Sequence, residues 1–423
     1  MNKIFKICYV SILILLTFLS NKTIAQNTEE KKVNFSVSGF IKSDIFYDSR
    51  QNVEALEGLL HIYPKDESLD ANGNDINAKS SIGISDISSR IRGNVSGPDV
   101  LGAKLSGLLE VDFTGGIDGF TARVRLRHAY AKLNWEKTEI LFGREWHPMF
   151  VKEVYPSVMS LNTGIPFQPF NRSPMLQVTQ QFGKLKIIGA AISQSDYMNT
   201  GPDGKSAKYL KNTNIPNLHL QLQYKPGNFL IGIAGDYKCI QPRLTVDTAI
   251  TSGITYITDS KLNSYAGMAF FKYEKSKLTV KGKAIYGQNL TESIMPGGYG
   301  VSKIDSITGK ETYTAINNLY LWANIIYGQK TKFGLFAGYT KNLGSDKNFV
   351  DKNRIYGFAY DVDYFIRITP TISHSIEKVM FALELEHTIA AYGNKQDLVD
   401  FGELKSSHQV SNTRVLFSVF YFF

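Results

Sequence analysis

Arginines recur at alternate positions in two short segments of the sequence. Alternate residues of a β-strand point to the same face, so each set would present its guanidinium groups together. A guanidinium binds carboxylate and phosphate groups through two parallel hydrogen bonds, which makes both sets candidate anion-binding surfaces. The basic set comprises Arg90 and Arg92, then Arg123, Arg125 and Arg127, with Arg144 in the following segment as a candidate extension.

Carboxylates alternate in the same way near the end of the sequence. Asp361 and Asp363 lie in one segment, and Glu384 and Glu386 lie in the next. One interpretation is that they neutralise neighbouring cations. Another is that an acidic wall opposite a basic wall sets up an electric field across the space between them, which would orient dipolar solutes.

Catalysis is an alternative use for such groups, because paired carboxylates and histidines serve as acid and base in enzymes. The seven histidines do not follow metal-ligand spacing, and the sequence contains no nucleophile motif. The sequence therefore predicts no enzyme, no catalytic residue, no metal ligand and no cofactor. No nucleic-acid partner is expected either.

The element that positions these side chains is a β-strand, because a period of two dominates the chain. At its end, Val415, Phe417, Val419, Tyr421 and Phe423 share one face. Aromatic residues make up 12% of the chain, with 35 Gly and only 13 Pro, which is typical of many packed strands. A soluble sandwich rarely sustains such long strands, whereas membrane strands need about 9 to 11 residues. The pattern favours a membrane barrel.

We predict an all-β fold, a transmembrane antiparallel β-barrel of sixteen strands, with fourteen or eighteen strands as alternatives. An even number places both ends of the chain on one side of the membrane. The predicted strand cores are 33–47, 82–95, 101–113, 122–135, 138–147, 175–182, 184–194, 215–225, 228–241, 261–274, 277–289, 315–328, 331–341, 354–369, 376–390 and 409–423.

Short and long connections alternate along the chain, as periplasmic turns and extracellular loops do in outer-membrane barrels. Tight turns are predicted at 96–99, 136–137, 183, 226–228, 275–277 and 329–331. The long connections are 48–80, 148–174, 195–214, 242–260, 290–313 and 392–407.

The loop 148–174 is too apolar to lie in water. It is the third extracellular loop in this order of strands, and it is rich in Pro and aromatic residues. We predict that it folds into the barrel as a rigid constriction. Packing over a neighbouring subunit is the alternative.

The first 25 residues have the features of a secretory signal peptide, since two lysines precede an apolar stretch that ends at Thr23-Ile24-Ala25. The remaining chain, 26–423, is expected to form one barrel domain. Its single thiol, Cys239, allows no internal disulfide. Removing three lysines lowers the basic residues from 47 to 44 against 38 acidic residues, which leaves a net charge of +6.

A barrel of about sixteen strands leaves an aqueous channel. The basic and acidic sets are predicted to line it, because a basic residue at mid-depth in lipid costs about 2–4 kcal/mol. The alternative is that the arginines lie at the outer rim and contact lipopolysaccharide phosphates. In the strand 122–135, Ala129 and Leu133 fall on the arginine face although they suit lipid, so we predict a β-bulge near His128.

Three segments of the sequence and its last residue together resemble the DcaP-like outer-membrane porins. They are residues 38–48, 125–133 and 141–146, and the terminal Phe423. The resemblance spans essentially the whole barrel. It implies a homotrimer of passively diffusing channels that favour small anionic solutes such as carboxylates. The seven residues 26–32 are too few for the coiled-coil extension that some members carry.

The sequence thus predicts a porin in the outer membrane of a Gram-negative bacterium, in contact with its lipid and lipopolysaccharide. The short leader argues against the plug of an energy-coupled receptor and the hatch of a hydrophobic-solute transporter. A surface adhesin or structural barrel stays an alternative, because the loop 48–80 could bind a partner. Phe423, Tyr421 and Val419 are expected to form the signal that the outer-membrane insertion machinery reads.

Overall fold

The structure is a computed structural model that describes residues 33–116, 119–248 and 253–423. The predicted signal peptide, 1–25, and the short segment after it lie outside the described residues. Within the described ranges, no helix is long and apolar enough to cross a membrane.

Sixteen antiparallel strands form a closed barrel, which confirms the predicted fold class. The barrel strands are β1 (Asn34–Asp48), β4 (Ser81–Ser85) with β5 (Arg90–Ser96), β6 (Lys104–Asp112), β7 (Arg125–Asn134), β8 (Thr138–Trp146), β9 (Arg172–Phe182), β10 (Leu185–Ile192), β13 (Asn217–Tyr224), β14 (Phe229–Ile240), β17 (Leu262–Lys275), β18 (Leu278–Gln288), β20 (Glu311–Gly328), β21 (Thr331–Ser345), β23 (Val362–Ile376), β24 (Val379–Gly393) and β25 (Ser406–Phe422). The pieces β4 and β5 together make the second barrel strand, and both pair with β1.

The long connections contain short elements of their own. The strands outside the barrel are β2 (Asn52–Ala55), β3 (Leu60–Pro64), β11 (Thr200–Gly201), β12 (Gly204–Lys205), β15 (Thr245–Asp247), β16 (Thr255–Ile257), β19 (Gly297–Ile304) and β22 (Ile355–Phe358), with one α-helical turn, α1 (Lys208–Lys211). Single 3₁₀ turns lie at Ile76–Ala78, Pro148–Phe150, Thr291–Ser293, Lys352–Arg354 and Asp397–Val399. The strands β19 and β22 pair with each other, and β19 also pairs with β20.

The barrel closes where its last strand pairs with its first. Ile41 lies opposite Tyr421, and Ile45 lies opposite Phe417. The amide of Gly39 donates to the carbonyl of Phe423, and the amide of Phe423 donates to the carbonyl of Gly39, both at 3.2 Å. Closure satisfies the backbone groups that an open sheet edge would leave unpaired.

One predicted strand is displaced along the chain. The range 354–369 was expected to cross the barrel, but β22 occupies its first part among the loops, and the crossing strand β23 starts only at Val362. Ala359, between the two, has a positive φ of 49° and turns the chain. Aromatic or apolar residues recur at every second position from Tyr356 to Tyr364, so the period of two does not separate the two pieces.

Side-chain burial along the strands is the reverse of that in a water-soluble protein. In β13, Leu218 and Leu220 are exposed on the outer face, while His219 and Gln221 are buried on the inner face. The same alternation runs through β1, β24 and β25. An apolar outside around a polar inside suits a barrel whose outer surface meets lipid hydrocarbon.

Exposed aromatic residues gather at the strand ends that adjoin the short turns. Rings of this kind favour the boundary between hydrocarbon and water, so they mark one edge of the apolar band. This set comprises Phe182, Tyr224, Phe229, Tyr327, Phe333, Phe381 and Tyr421.

We predict that deleting Phe423 lowers the yield of heat-modifiable barrel in the outer membrane. The deletion removes the paired hydrogen bonds to Gly39 at the closing seam. A Phe423→Tyr variant keeps those bonds and the ring and is the control. Gel mobility with and without boiling measures the folded fraction, and an undiminished fraction in the deletion variant would contradict the prediction.

Candidate functional site

The connection between β8 and β9, residues 147–171, folds into the barrel, and we call it the inward loop. Val154, Ile165 and Phe167 in this loop are fully buried. Its hydrogen-bond partners lie on β1, β18, β20, β23 and β24, across the barrel from the strands where it begins and ends. The loop therefore crosses the interior, and its role as a constriction, predicted for 148–174, stays a prediction.

The carboxylate of Glu384 fixes the middle of the inward loop. It accepts hydrogen bonds from the amide of Met159 at 2.6 Å and from the amide of Ser160 at 3.1 Å. The ammonium of Lys42 donates to the carbonyl of Met159 at 2.9 Å and pairs with Asp44 at 3.0 Å. Charged wall residues thus replace the water that would otherwise hydrate this piece of backbone.

A second anchor ties the inward loop to the first long connection. Arg367 donates to the carbonyl of Ile165 at 2.5 Å and to the carbonyl of Ile62 at 2.6 Å. Glu386 accepts from the side-chain amide of Asn162 at 2.8 Å and contacts His61. The connection 49–80 therefore enters the barrel through β3 and meets the inward loop there.

The start of the inward loop is held from β18. The ammonium of Lys283, on the inner face, donates to the carbonyls of Met149 and Phe150 at 2.8 and 2.9 Å. Further along, the Phe167 ring packs against Gly338, where an added Cβ would lie 2.5 Å from the ring. Close approach of the loop to the wall thus requires a glycine at that position.

The predicted arginines form a paired network rather than a row of free charges. Arg127 donates to Glu110 and to Asp112, each at 2.7 Å. Arg125 also binds Asp112, at 3.0 Å, and Arg92 binds Glu110, at 2.9 Å. Two buried carboxylates therefore neutralise part of the positive charge of three arginines.

The β-bulge predicted near His128 is present, at the adjacent residue Arg127. Glu110 lies opposite His128, but the next residue, Val111, lies opposite Leu126, so Arg127 is the extra residue. Arg127 and His128 are consequently both buried. The bulge lets the arginine segment face inward while the rest of β7 keeps its apolar residues outside.

Arg123 and Arg144 lie apart from this network, whereas Arg90 lies beside it, opposite Asp112 in the pairing of β5 with β6. The strand β7 begins at Arg125, so Arg123 lies in the preceding connection, where its guanidinium is 4.6 Å from the ring centre of Phe120. Arg90 lies 5.2 Å from the ring of Phe40. Arg144 binds Asp196, in the connection 195–214, at 2.5 Å.

Of the predicted carboxylates, Glu384 and Glu386 face the interior and hold the inward loop. Asp363 is buried and binds Lys341 at 2.5 Å. Asp361 precedes β23 and binds Lys395 at 3.0 Å. Whether any of the predicted basic and acidic residues lines the solute path stays a prediction.

Lysines that sequence analysis did not select line the space beneath the inward loop. Two cavities, of about 330 and 630 Å³, share Lys272 and Glu274 and lie between the short turns and the loop residues Glu153, Ser157 and Met159. We call this space the lysine vestibule. Its lysines are Lys184, Lys186, Lys225, Lys272, Lys277, Lys281, Lys330 and Lys332, and its glutamates are Glu153 and Glu274.

The signal for the vestibule was present in the sequence. Lys277 and Lys330 stand in segments identified only as tight turns, and Lys332 lies two residues further along on the next strand. Lysines in turns are usually solvated and carry no further information. Only the order of the strands in the barrel brings these lysines together around one opening.

A buried cluster of His147, His219 and Asp236 was also missed. The Nε2 atom of His147 lies 3.5 Å from Oδ2 of Asp236, and Nδ1 of His219 lies 3.1 Å from the same oxygen. Burial lowers the pKa of His147 to about 4. Asp236 opposes this shift, and His219 and Lys238 add to it. The imidazole of His147 is therefore neutral near pH 7.

No family model and no curated protein matches the sequence. Among solved structures, the chain is similar to the outer membrane channel DcaP of Acinetobacter baumannii, with a TM-score of 0.65 and 14% identity over 95% of this chain and 100% of that one. It is also similar to OmpT of Vibrio cholerae, with a TM-score of 0.55 and 10% identity over 94% and 100% of the two chains. An anion-selective porin from Comamonas acidovorans gives a TM-score of 0.51 and 12% identity over 93% and 100%. The chain therefore has the fold of these outer-membrane channels, as the resemblance to DcaP-like porins predicts.

Proposed function

We propose that the protein is an outer-membrane porin of a Gram-negative bacterium, through which small hydrophilic solutes diffuse passively with a preference for anionic, carboxylate-type solutes. The observation that carries this proposal is the lysine vestibule below an inward loop that crosses the barrel. The similarity to solved outer-membrane channels supports the porin function, and one of those channels is an anion-selective porin.

The inward loop supplies the size limit. It occupies the interior between opposite walls, so a solute has to pass beside it. Its charged anchors, Glu384, Arg367 and Lys283, contact backbone groups directly and leave it few alternative positions. A fixed constriction of this kind excludes large solutes without a gating step.

The vestibule supplies the charge preference. Its lysines outnumber its glutamates. Glu153 forms an ion pair with Lys186, and Glu274 forms one with Lys272. The other lysines are therefore an excess of positive charge around the space. Electrostatic attraction is stronger in a confined space than in bulk water, because there is less water to screen it. Several lysines in series let an anion move from one to the next without being trapped.

The arginine network contributes a smaller part of this preference. Arg127 binds both Glu110 and Asp112, and Arg125 binds Asp112, so their charges are partly cancelled. Glu384 and Glu386 are likewise engaged with the inward loop. The transverse field expected between basic and acidic walls is therefore weaker than free charges would produce.

Assembly as a homotrimer is part of the proposal. One solved structure of Vibrio cholerae OmpT, with a TM-score of 0.53, is described as a trimer form. Here the outer faces of β4 and β6 expose Ile82, Ile84 and Leu109 at 74%, 74% and 56%. Such an apolar surface could meet either lipid or another subunit, and the resemblance favours another subunit.

We predict that wild-type channels favour chloride over potassium in a KCl gradient. Replacing Lys277, Lys330 and Lys332 together with Gln should remove about half of the reversal potential, since permeant anions then lose three of the charges that attract them. Reversal potentials of the purified protein in planar bilayers measure this. A cation-selective wild type would contradict the anion preference.

The charge-matched control replaces Lys79, Lys211 and Lys310, which are exposed on the long connections. The Arg125→Ala, Arg127→Ala double variant is also expected to lose anion preference, because Glu110 and Asp112 are left without these partners. If the control and the vestibule variant shift the reversal potential equally, the vestibule does not determine selectivity.

We predict that Glu384→Ala increases single-channel conductance and current noise. The substitution removes the acceptor for two loop amides, and a lost charge-assisted hydrogen bond costs about 1.5–3 kcal/mol. The control is Glu377→Ala, in the exposed turn between β23 and β24. Conductance and noise equal to wild type would show that the inward loop does not limit the current.

We predict a native mass in detergent of three chains and conductance that appears in steps of three. Light scattering coupled to gel filtration measures the mass, and bilayer recordings measure the steps. A monomeric mass together with single steps would overturn the trimer.

A further inference from the structure

Three metal-ligating side chains converge where the inward loop leaves the barrel wall. One ligand atom from each of His147, His219 and Asp236 lies within 4.8 Å of the others, and all three residues are buried. The two distances to Oδ2 of Asp236 are 3.5 and 3.1 Å. Ligand atoms about 2.0–2.2 Å from one Zn²⁺ are separated by roughly 3.0–3.6 Å, so two of the three separations already suit a metal.

We propose that these residues form a binding site for a divalent metal ion. Zn²⁺ is the ion that suits this set of ligands best. Two imidazole nitrogens and a carboxylate oxygen are ligands that Zn²⁺ prefers. The site would join the inward loop, through His147, to β13 and β14, through His219 and Asp236. The ion would therefore fix the start of the loop to the wall.

A fourth residue, Asn217, lies against the three ligand atoms and has an unsatisfied buried amide oxygen. Asn217 is 4% exposed, and its Oδ1 atom has no hydrogen-bond partner. Its Nδ2 atom lies 2.9 Å from Nε2 of His147 and 3.4 Å from Oδ2 of Asp236. A half-turn of the amide would exchange the two atoms and bring the oxygen to the point where the three ligand atoms meet, as a fourth ligand.

The surrounding groups fit this role. The Nε2 atom of His219 lies 3.2 Å from Oε1 of Gln221, and donation to that oxygen leaves the Nδ1 lone pair free for the metal. Lys238, the nearby cation, is paired with Glu292 at 2.6 Å, so it does not hold Asp236. Ligation through Nε2 of His147 moves its proton to Nδ1 and gives up one long contact, 3.3 Å, with the amide of Met149.

The site borders a cavity in the barrel interior. His147 lines a cavity of about 250 Å³ together with Gln221, Gln223 and Glu145. Sequence analysis predicted no metal ligand because the three residues come from three separate elements and show no short spacing. The proposal does not depend on transport, since binding is measured directly.

The test uses untagged, folded protein in detergent, stripped with a chelator and titrated with Zn²⁺ by calorimetry. We expect one equivalent to bind to wild type. His219→Ala and Asp236→Asn should weaken binding at least tenfold. His387→Ala is the matched control, because His387 is exposed on the outer face of β24 and bonds Thr413. Heat-modifiable mobility establishes that each variant is folded.

A second measurement covers the case in which the triad variants do not fold. Co²⁺ bound to wild type should give the visible absorption bands of a low-coordinate site with nitrogen ligands. Zn²⁺ should displace the Co²⁺ and so abolish these bands. Asn217→Ala, which leaves the triad intact, should alter these bands. Wild type that binds no Zn²⁺, or variants that bind it as tightly as wild type, would show that the cluster is only a hydrogen-bonded network.

Discussion

Pairing of the last strand with the first is the constraint on which the rest of this structure depends. A sheet in hydrocarbon has to satisfy every backbone group internally, and the bonds between β1 and β25 complete that requirement. Once the sheet is closed, the alternation of side chains leaves a single place for polar residues, the interior. The charges of this protein therefore meet one another and the inward loop in a confined space.

Confinement determines what each charge does. A buried charge is costly unless it is paired, and Arg127 is paired with Glu110 and Asp112. Glu384 and Arg367 are used in the same way to bind loop backbone. The lysines of the vestibule, near the short turns, lie beside open space instead.

The period of two was sufficient to predict sixteen strands and the order of long and short connections between them, and the apolar composition of 148–174 predicted the inward loop. The period of two failed at β22 and β23, because aromatic or apolar residues recur at every second position across both pieces. It found Arg125 and Arg127 but not their partners, because Glu110 and Asp112 become neighbours only through strand pairing and the bulge. The vestibule lysines and the His147 cluster were missed for the same reason, since their members are distant in sequence.

The position of the loop anchors has a consequence for the order of assembly. The inward loop is completed at residue 171, but Lys283, Arg367 and Glu384 lie on β18, β23 and β24, which follow it in the chain. The loop cannot reach its final place until those strands are in the barrel. Narrowing of the interior is thus a late event, so an incompletely assembled barrel would be wider and leakier than the finished one.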